Sequence, residues 1–585
     1  MISLQQAGRY DEAANLCEAR LASAPEDIDA LQALAAARLA QGRTNEGLTH
    51  LTKAAAVSPR DGQLLATLAR VHAATGDIEQ AIESYGKALV LRPDLGDAAD
   101  ELAGLLKALE RYDEAEDRCR AAIAASGDSA RRRHALAGVL FEQGRVDQAI
   151  AALEASLALE PDAPAVHSDL LRALNYTDEF EPQAIYEAHA AWGERHARAL
   201  GDAAPRHAND PDPQRRLRVG YVSPYFRKHA VTFFFESVVE HHDRDAFELV
   251  LYADVARPDE YSERLRAHGA AWRPIVGTSD PALAQRIRDD RIDILVDLSG
   301  HTPGHRLLAF ARRPAPVQVT WNGYPNTTGM REIHYRVTDA YCDPPGATES
   351  LHTEELVRLP AIYMSWRPPA DAPDPGPLPM LARGHVTFAS FNACYKATPS
   401  IACLWARILR EVPRSRLILF AVPRGRAEDR LRNLFAAEGV EQGRIEMRSR
   451  TSHEAFLEAH REVDIALDAF PYHGTTTTCF SLWMGVPVIA LTGPTHVSRV
   501  GLTLLSNMGL GGLAAQTADE YVVTATALAR QPGELARLRS GLRARMLSSL
   551  LTDGAACARA LEHAYRGMWT GWCKSGARDY QKNSR

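Results

Sequence analysis

The 585-residue sequence predicts a multidomain protein, an all-α superhelix of helical hairpins followed by an α/β part built from two Rossmann-like domains. Three observations predict it. A turn-like hexapeptide returns at a fixed step of 34 residues through the first 175. Beyond Leu217, short β-rich runs alternate with helix-compatible stretches, and they do so in two successive sets. A proline-rich segment separates the two sets. The expected order is a repeat array over 1–175, a helical linker over 176–216 and an N-terminal Rossmann-like half over 217–365. A hinge over 366–384, a C-terminal Rossmann-like half over 385–575 and a tail over 576–585 complete the chain.

The hexapeptides GRYDEA, GRTNEG, GDIEQA, ERYDEA and GRVDQA begin at Gly8, Gly42, Gly76, Glu110 and Gly144. A second marker keeps register at Pro25, Pro59, Pro93 and Pro161, with Gly127 standing in once. Ala13, Gly47, Ala81, Ala115 and Ala149 hold one further offset, where a small side chain lets two helices approach closely. Glycine ends the first helix of each hairpin and proline opens the next. This pattern resembles the tetratricopeptide repeat. The resemblance implies a superhelix whose concave face takes an extended protein or peptide; a spacer or a homodimer contact through the repeats is the alternative. Met1 falls inside a repeat's first helix, so the array is expected to start on an edge that needs a cap or partner. Residues 181–200 read as one more amphipathic helix, and the polar run 201–216 as linker.

Composition narrows the function classes. A hydrophobic content of 46% with 24% charged residues is that of a soluble globular protein. The net charge of −7 gives no reason to expect nucleic acid as a partner. No long apolar run or basic-apolar leader is present, so neither a membrane span nor a signal peptide is expected. Eight scattered cysteines without a CxxC pair indicate neither a zinc site nor a disulfide framework, and point to the cytoplasm.

In the α/β part, LRVGYVS, FELVLYA, IDILVDLSG and APVQVTWNGYP form the first set of strands, and HVTFASFN, RLILFAV, VDIALDAF and PVIALTG the second. Residues 366–379, WRPPADAPDPGPLP, make the irregular hinge between them. Two doubly wound domains of this kind place a ligand cleft at the C-terminal ends of their strands. That is the GT-B layout. A two-domain kinase or binding protein is the competing layout, but no GxxxxGK[ST] or GxGxxG follows a strand.

Four threonines, Thr475 to Thr478, follow Gly474 at the predicted start of a helix. Free backbone N–H groups and the positive helix end equip such a start for a phosphate. Ordinary capping needs only one such residue. Further polar groups stand just past strand ends: Tyr225 to His229, Ser299-Gly300-His301-Thr302, the stretch Asn322 to Gly329, and Phe391 to Lys396. An anion site beside a polar pocket is what glycosyl transfer from a nucleoside diphosphate needs.

RPAPVQVTWNGYPNTTG, SFNACYKATP, VDIALDAFPYHGTTTT and LWMGVPV resemble the catalytic region of the protein O-linked N-acetylglucosamine transferases, glycosyltransferase family 41. GHT at 300–302, GYPNTTG and PTHVSRVGL at 494–502 are closer to its SPINDLY branch, whose plant members use GDP-fucose. The resemblance implies an inverting, metal-independent transfer to Ser or Thr, with UDP-GlcNAc or GDP-fucose as nucleotide-sugar substrate and no cofactor. It implies that His229 lies near the transferred sugar, as general base or as orienting group, and that Lys396 neutralises the leaving diphosphate. Thr476 and Thr477 would hold that diphosphate, Thr475 replaces a histidine of the animal enzymes, and Gly323 and Tyr324 would line the sugar side. Two positions depart from the pattern. Phe480 stands where a carboxylate would take the ribose, and Phe456 where a histidine stands beside the base; both imply weakened or altered donor binding. Rival readings are a transferase acting on small molecules or glycans, and a non-catalytic scaffold with a degenerate transferase domain.

Overall fold

A computed structural model describes residues 3–4 and 7–574; the expected tail at 576–585 lies outside them. The chain divides into two compact units. The first comprises the residues up to Glu142 together with Ala151–Pro161, and the second Gln143–Ile150 and everything from Asp162 onward.

The first unit is a run of antiparallel helix pairs, such as Ile28–Ala40 with Thr44–Val57 and Gly62–Thr75 with Ile78–Leu91. The 34-residue glycine marks the tight turn inside each pair. Gly8, Gly42 and Gly76 take φ between 72° and 87°, and Glu110 takes 58° at the equivalent place. Only glycine enters that region without crowding its Cβ, so the repeat's punctuation is a backbone requirement. The small residues Ala13, Ala81 and Ala115 are fully buried between the paired helices, as the spacing predicts.

The second unit holds two parallel sheets. The first has seven strands: β1 Leu217–Ser223, β2 Phe247–Ala253, β3 Ala271–Pro274, β4 Ile294–Asp297, β5 Val317–Thr320, β6 Tyr335–Asp339 and β7 Glu355–Leu359. The second has six: β8 Thr387–Ser390, β9 Arg416–Leu419, β10 Ile445–Met447, β11 Ile465–Leu467, β12 Val488–Leu491 and β13 Ala514–Ala515. Their orders are β3-β2-β1-β4-β5-β6-β7 and β10-β9-β8-β11-β12-β13. Each order reverses beside its first strand, which opens a crevice at β1/β4 in one sheet and β8/β11 in the other. Central strands such as β4, β5 and β12 are buried along their whole length, which is why they read as uninterrupted apolar runs. The sequence pattern missed β3, β6, β7, β10 and β13. The first and last two of these lie at or next to a sheet edge and are short, while β6 carries the buried Arg336, whose guanidinium donates to the carbonyls of Tyr324 and Asn326.

Helix Pro164–Leu174, read as the end of the repeats, falls in the second unit. The expected linker 176–216 is docked rather than free. His189 and Trp192 are fully buried, the helix from Pro182 continues through a π-helical turn at Gly193–Ala197, and Arg215 pairs with buried Asp293 at 2.5 Å. The final helix, Gly554–Lys574, returns to the first sheet instead of completing the second. It packs on helix Ala230–His241 and on β5 and β7, burying Tyr565, Trp569 and Trp572. No helix among the described residues is long and apolar enough to cross a membrane.

Candidate active site

The C-terminal ends of β1, β5, β8 and β11 surround one cavity of about 440 Å³. Six residues expected from the sequence line it: His229, Gly323, Lys396, Thr475, Thr476 and Thr477.

His229 follows β1 and caps helix Ala230–His241, its Nδ1 accepting the Val231 amide at 3.2 Å. That bond places the ring proton on Nε2. The ring stacks on Tyr225 with centroids 3.9 Å apart. Burial, with the charge of Arg227 adding to it, pushes the imidazole down to about 4, so it is neutral at pH 7. His229 therefore faces the cavity as a neutral donor.

Gly323 follows β5. A Cβ there would lie 1.8 Å from the Leu298 carbonyl oxygen, so only glycine lets this turn press against the end of β4. Its neighbour Asn322, at φ 65°, also lines the cavity, and its buried Nδ2 has no hydrogen-bond partner in the protein. Asn322 carried no signal in the sequence beyond standing after a strand.

Lys396 ends the short 3₁₀ turn after β8. Its Nζ donates to the His473 carbonyl at 2.8 Å and to Asn392 Oδ1 at 3.3 Å, and it lies 4.4 Å from the centre of the Tyr472 ring. Burial lowers its ammonium to about 8, with Asp468 opposing the shift. Asn392 ties the two loops together. Its Nδ2 donates to Asp468 Oδ1 at 3.0 Å, and its Oδ1 also accepts from Thr477 Oγ1 at 3.2 Å. The same Asp468 oxygen takes the amides of Ala469 and Gly474 at 2.9 and 2.8 Å. This folds the loop back so that helix Thr476–Trp483 starts at the cavity. A Cβ on Gly474 would meet Thr477 Oγ1 at 2.2 Å, which explains the glycine before the threonine run. Thr475 makes no side-chain cap, and Thr478 bonds back to the Gly474 carbonyl at 2.9 Å. Hydroxyls and helix-start amides converge beside a buried lysine, which is the chemistry of a diphosphate site.

Three expected site residues do not line this cavity. Tyr324, expected on the sugar side, turns into the core, where its hydroxyl meets Asn175 Nδ2 at 2.8 Å and His189 Nε2 at 2.9 Å. Helix Pro182–Trp192, absent from a reading of the motif alone, supplies the partner that draws it away. Phe480 is buried in an aromatic cluster, edge-on to Trp366 at 5.4 Å, His453 at 5.2 Å and Phe233 at 5.7 Å. Phe456 joins the same cluster, 5.8 Å from Phe480 and 5.6 Å from Phe391. His301, in the strand-end motif after β4, is likewise buried between Ser168 Oγ and the Thr328 carbonyl, at 3.0 and 2.9 Å. Conversely, Arg172 and Tyr176 from the helical segment before β1 do line the cavity, and Tyr176 stacks on Tyr472 at 4.2 Å. No periodicity in the sequence assigns them there.

The family model for glycosyl transferase family 41 matches residues 145–365 and 379–561, and tetratricopeptide-repeat models match 38–103 and 106–174. A Petunia hybrida protein named probable UDP-N-acetylglucosamine–peptide N-acetylglucosaminyltransferase SPINDLY is 42% identical over 423 residues, 71% of this chain and 45% of that protein. The Arabidopsis thaliana protein with the same description but the name SEC is 34% identical over 369 residues, 61% of this chain and 38% of its own. This chain thus spans about half the length of the curated relatives it matches. A solved structure of a Thermobaculum terrenum O-GlcNAc transferase mutant superposes with a TM-score of 0.81 at 39% identity, covering 88% of this chain and 98% of that one. With its repeats, its paired parallel sheets and these matches, the chain belongs to glycosyltransferase family 41.

Proposed function

We propose that this chain is an inverting protein O-glycosyltransferase that moves a sugar from a nucleotide sugar to Ser or Thr side chains of polypeptides held by its repeats. The observation that carries the reading is the convergence of His229, Gly323, Lys396 and Thr475–Thr477 on one cavity where the two sheets present their switch points. Positive charge from Lys396 and from the start of helix Thr476–Trp483 meets the diphosphate as the glycosidic bond breaks, in place of a metal ion. His229, neutral and donating through Nε2, orients an oxygen of the sugar or acceptor. UDP-GlcNAc is the first donor to test, from the names of the relatives; GDP-fucose is the second, from the resemblance to the SPINDLY branch.

The test incubates the full chain with Ser/Thr peptides and each donor, and reads mass gain on the peptide. Transfer from one donor, abolished by Lys396→Ala, supports the reading. Nucleotide binding without transfer from any donor favours a scaffold. A gain that requires UDP-GlcNAc alone or GDP-fucose alone assigns the donor.

A further inference from the structure

His229 donates into the cavity, so the proton of an attacking hydroxyl must leave by another route. Tyr363 lines the same cavity. Its hydroxyl lies 3.3 Å from His496 Nε2, and His496 Nδ1 lies 2.6 Å from Asp343 Oδ2. The three groups come from separate segments: Asp343 after β6, Tyr363 after β7, and His496 in the PTHVSRVGL motif after β12, which the diphosphate site does not use. All three are buried.

The polarity of this chain follows from its ends. Asp343 is held ionised, its carboxyl kept well below the usual range by His496, with His352 and Arg336 adding, against the opposing effect of burial. It accepts from Thr338 Oγ1 as well as from His496. A carboxylate can only accept, so His496 carries a proton on Nδ1; in its neutral form Nε2 is then a lone-pair acceptor. With His496 neutral, the Tyr363 O–H donates to it at 3.3 Å, which leaves the phenol oxygen's lone pairs free to accept. Backbone bonds hold the residue in place: the Tyr363 amide donates to Asp339 Oδ2 at 3.2 Å and its carbonyl accepts Trp321 Nε1 at 2.8 Å. The motif is fastened to the first sheet by Arg499, which donates to the Tyr341 carbonyl at 2.8 Å, and the residue after it, Thr503, donates to Asp339 at 2.6 Å.

We propose that Tyr363 is the catalytic residue that takes the acceptor hydroxyl's proton, passing its own to His496, with His496 and Asp343 acting through it. The proposal rests on the glycosyl-transfer reading above. In the step, the acceptor oxygen bonds to the anomeric carbon as the bond from that carbon to the diphosphate breaks, its electron pair leaving with the diphosphate beside Lys396. The acceptor proton moves to the Tyr363 oxygen while the phenolic proton moves to His496 Nε2. Asp343 holds the resulting imidazolium until it is deprotonated after product leaves.

Tyr363→Phe and His496→Gln in the full chain test this, assayed for peptide glycosylation and, separately, for nucleotide-diphosphate binding. Each variant is expected to lower kcat by about a hundredfold, the range for one general base. Nucleotide affinity should stay unchanged, and the solvent deuterium effect on kcat should disappear. The double variant should fall no further than either single one, because the groups act as a unit. A Tyr363→Phe enzyme that keeps its kcat overturns the proposal, as do losses that multiply in the double variant or that fall on nucleotide binding in parallel. Should the unaltered chain transfer no sugar from either donor, it is the glycosyl-transfer reading that falls, and the relay with it.

Discussion

Lys396 and Phe480 carry the two most specific residue-level consequences. The Lys396 ammonium, lowered to about 8 by burial, is charged at neutral pH and loses its proton above that value. A bound diphosphate favours the charged form, so affinity for UDP or GDP should hold below pH 8 and weaken roughly tenfold per unit above it. Titration calorimetry across that range reads the slope, and Lys396→Ala should flatten it. The sequence suggests that Phe480 displaced a ribose ligand, in which case Phe480→Glu would tighten nucleotide binding. The structure reverses that expectation. The ring is 4% exposed among Trp366, Phe233, His453 and Phe456, and a carboxylate there would be desolvated in an aromatic cluster. Phe480→Glu should therefore destabilise the fold by about 4 kcal/mol in urea titration. Tighter nucleotide binding with unchanged stability would contradict this.

At the scale of elements, the site depends on loops that glycine makes compact. Gly323 lets the turn after β5 lie against the Leu298 carbonyl, and any Cβ must push strand ends apart. Gly323→Ala should cost about 3 kcal/mol of stability and reduce transfer with it, a shift visible in the denaturant midpoint. Much of this geometry was legible beforehand. The strand ends after β1, β5, β8 and β11 are marked by apolar runs stopping at polar residues, and six of the expected residues line one cavity. What the sequence hid was long-range packing. Tyr324 is drawn off by His189 and Asn175, Arg172 enters from a helix that reads as a repeat, and the last helix crosses back to the first sheet. Local patterns report which face of an element is apolar; they do not report which distant element covers it.

For the whole molecule, the repeat array and the paired sheets were both readable because each obeys a strict period. The 34-residue step is set by turn residues with positive φ, and the βα alternation by strands buried on both faces. In the proposed function these parts meet at one step: Lys396 and the threonine-lined helix start stabilise a departing nucleoside diphosphate during transfer to a protein hydroxyl. The most direct measurement is the turnover number for peptide glycosylation by the full chain and by Lys396→Ala, each with its donor saturating. The account predicts turnover in the first and a loss of at least about a hundredfold in the second, the range for removing one transition-state charge partner. Equal turnover by the two proteins would contradict it.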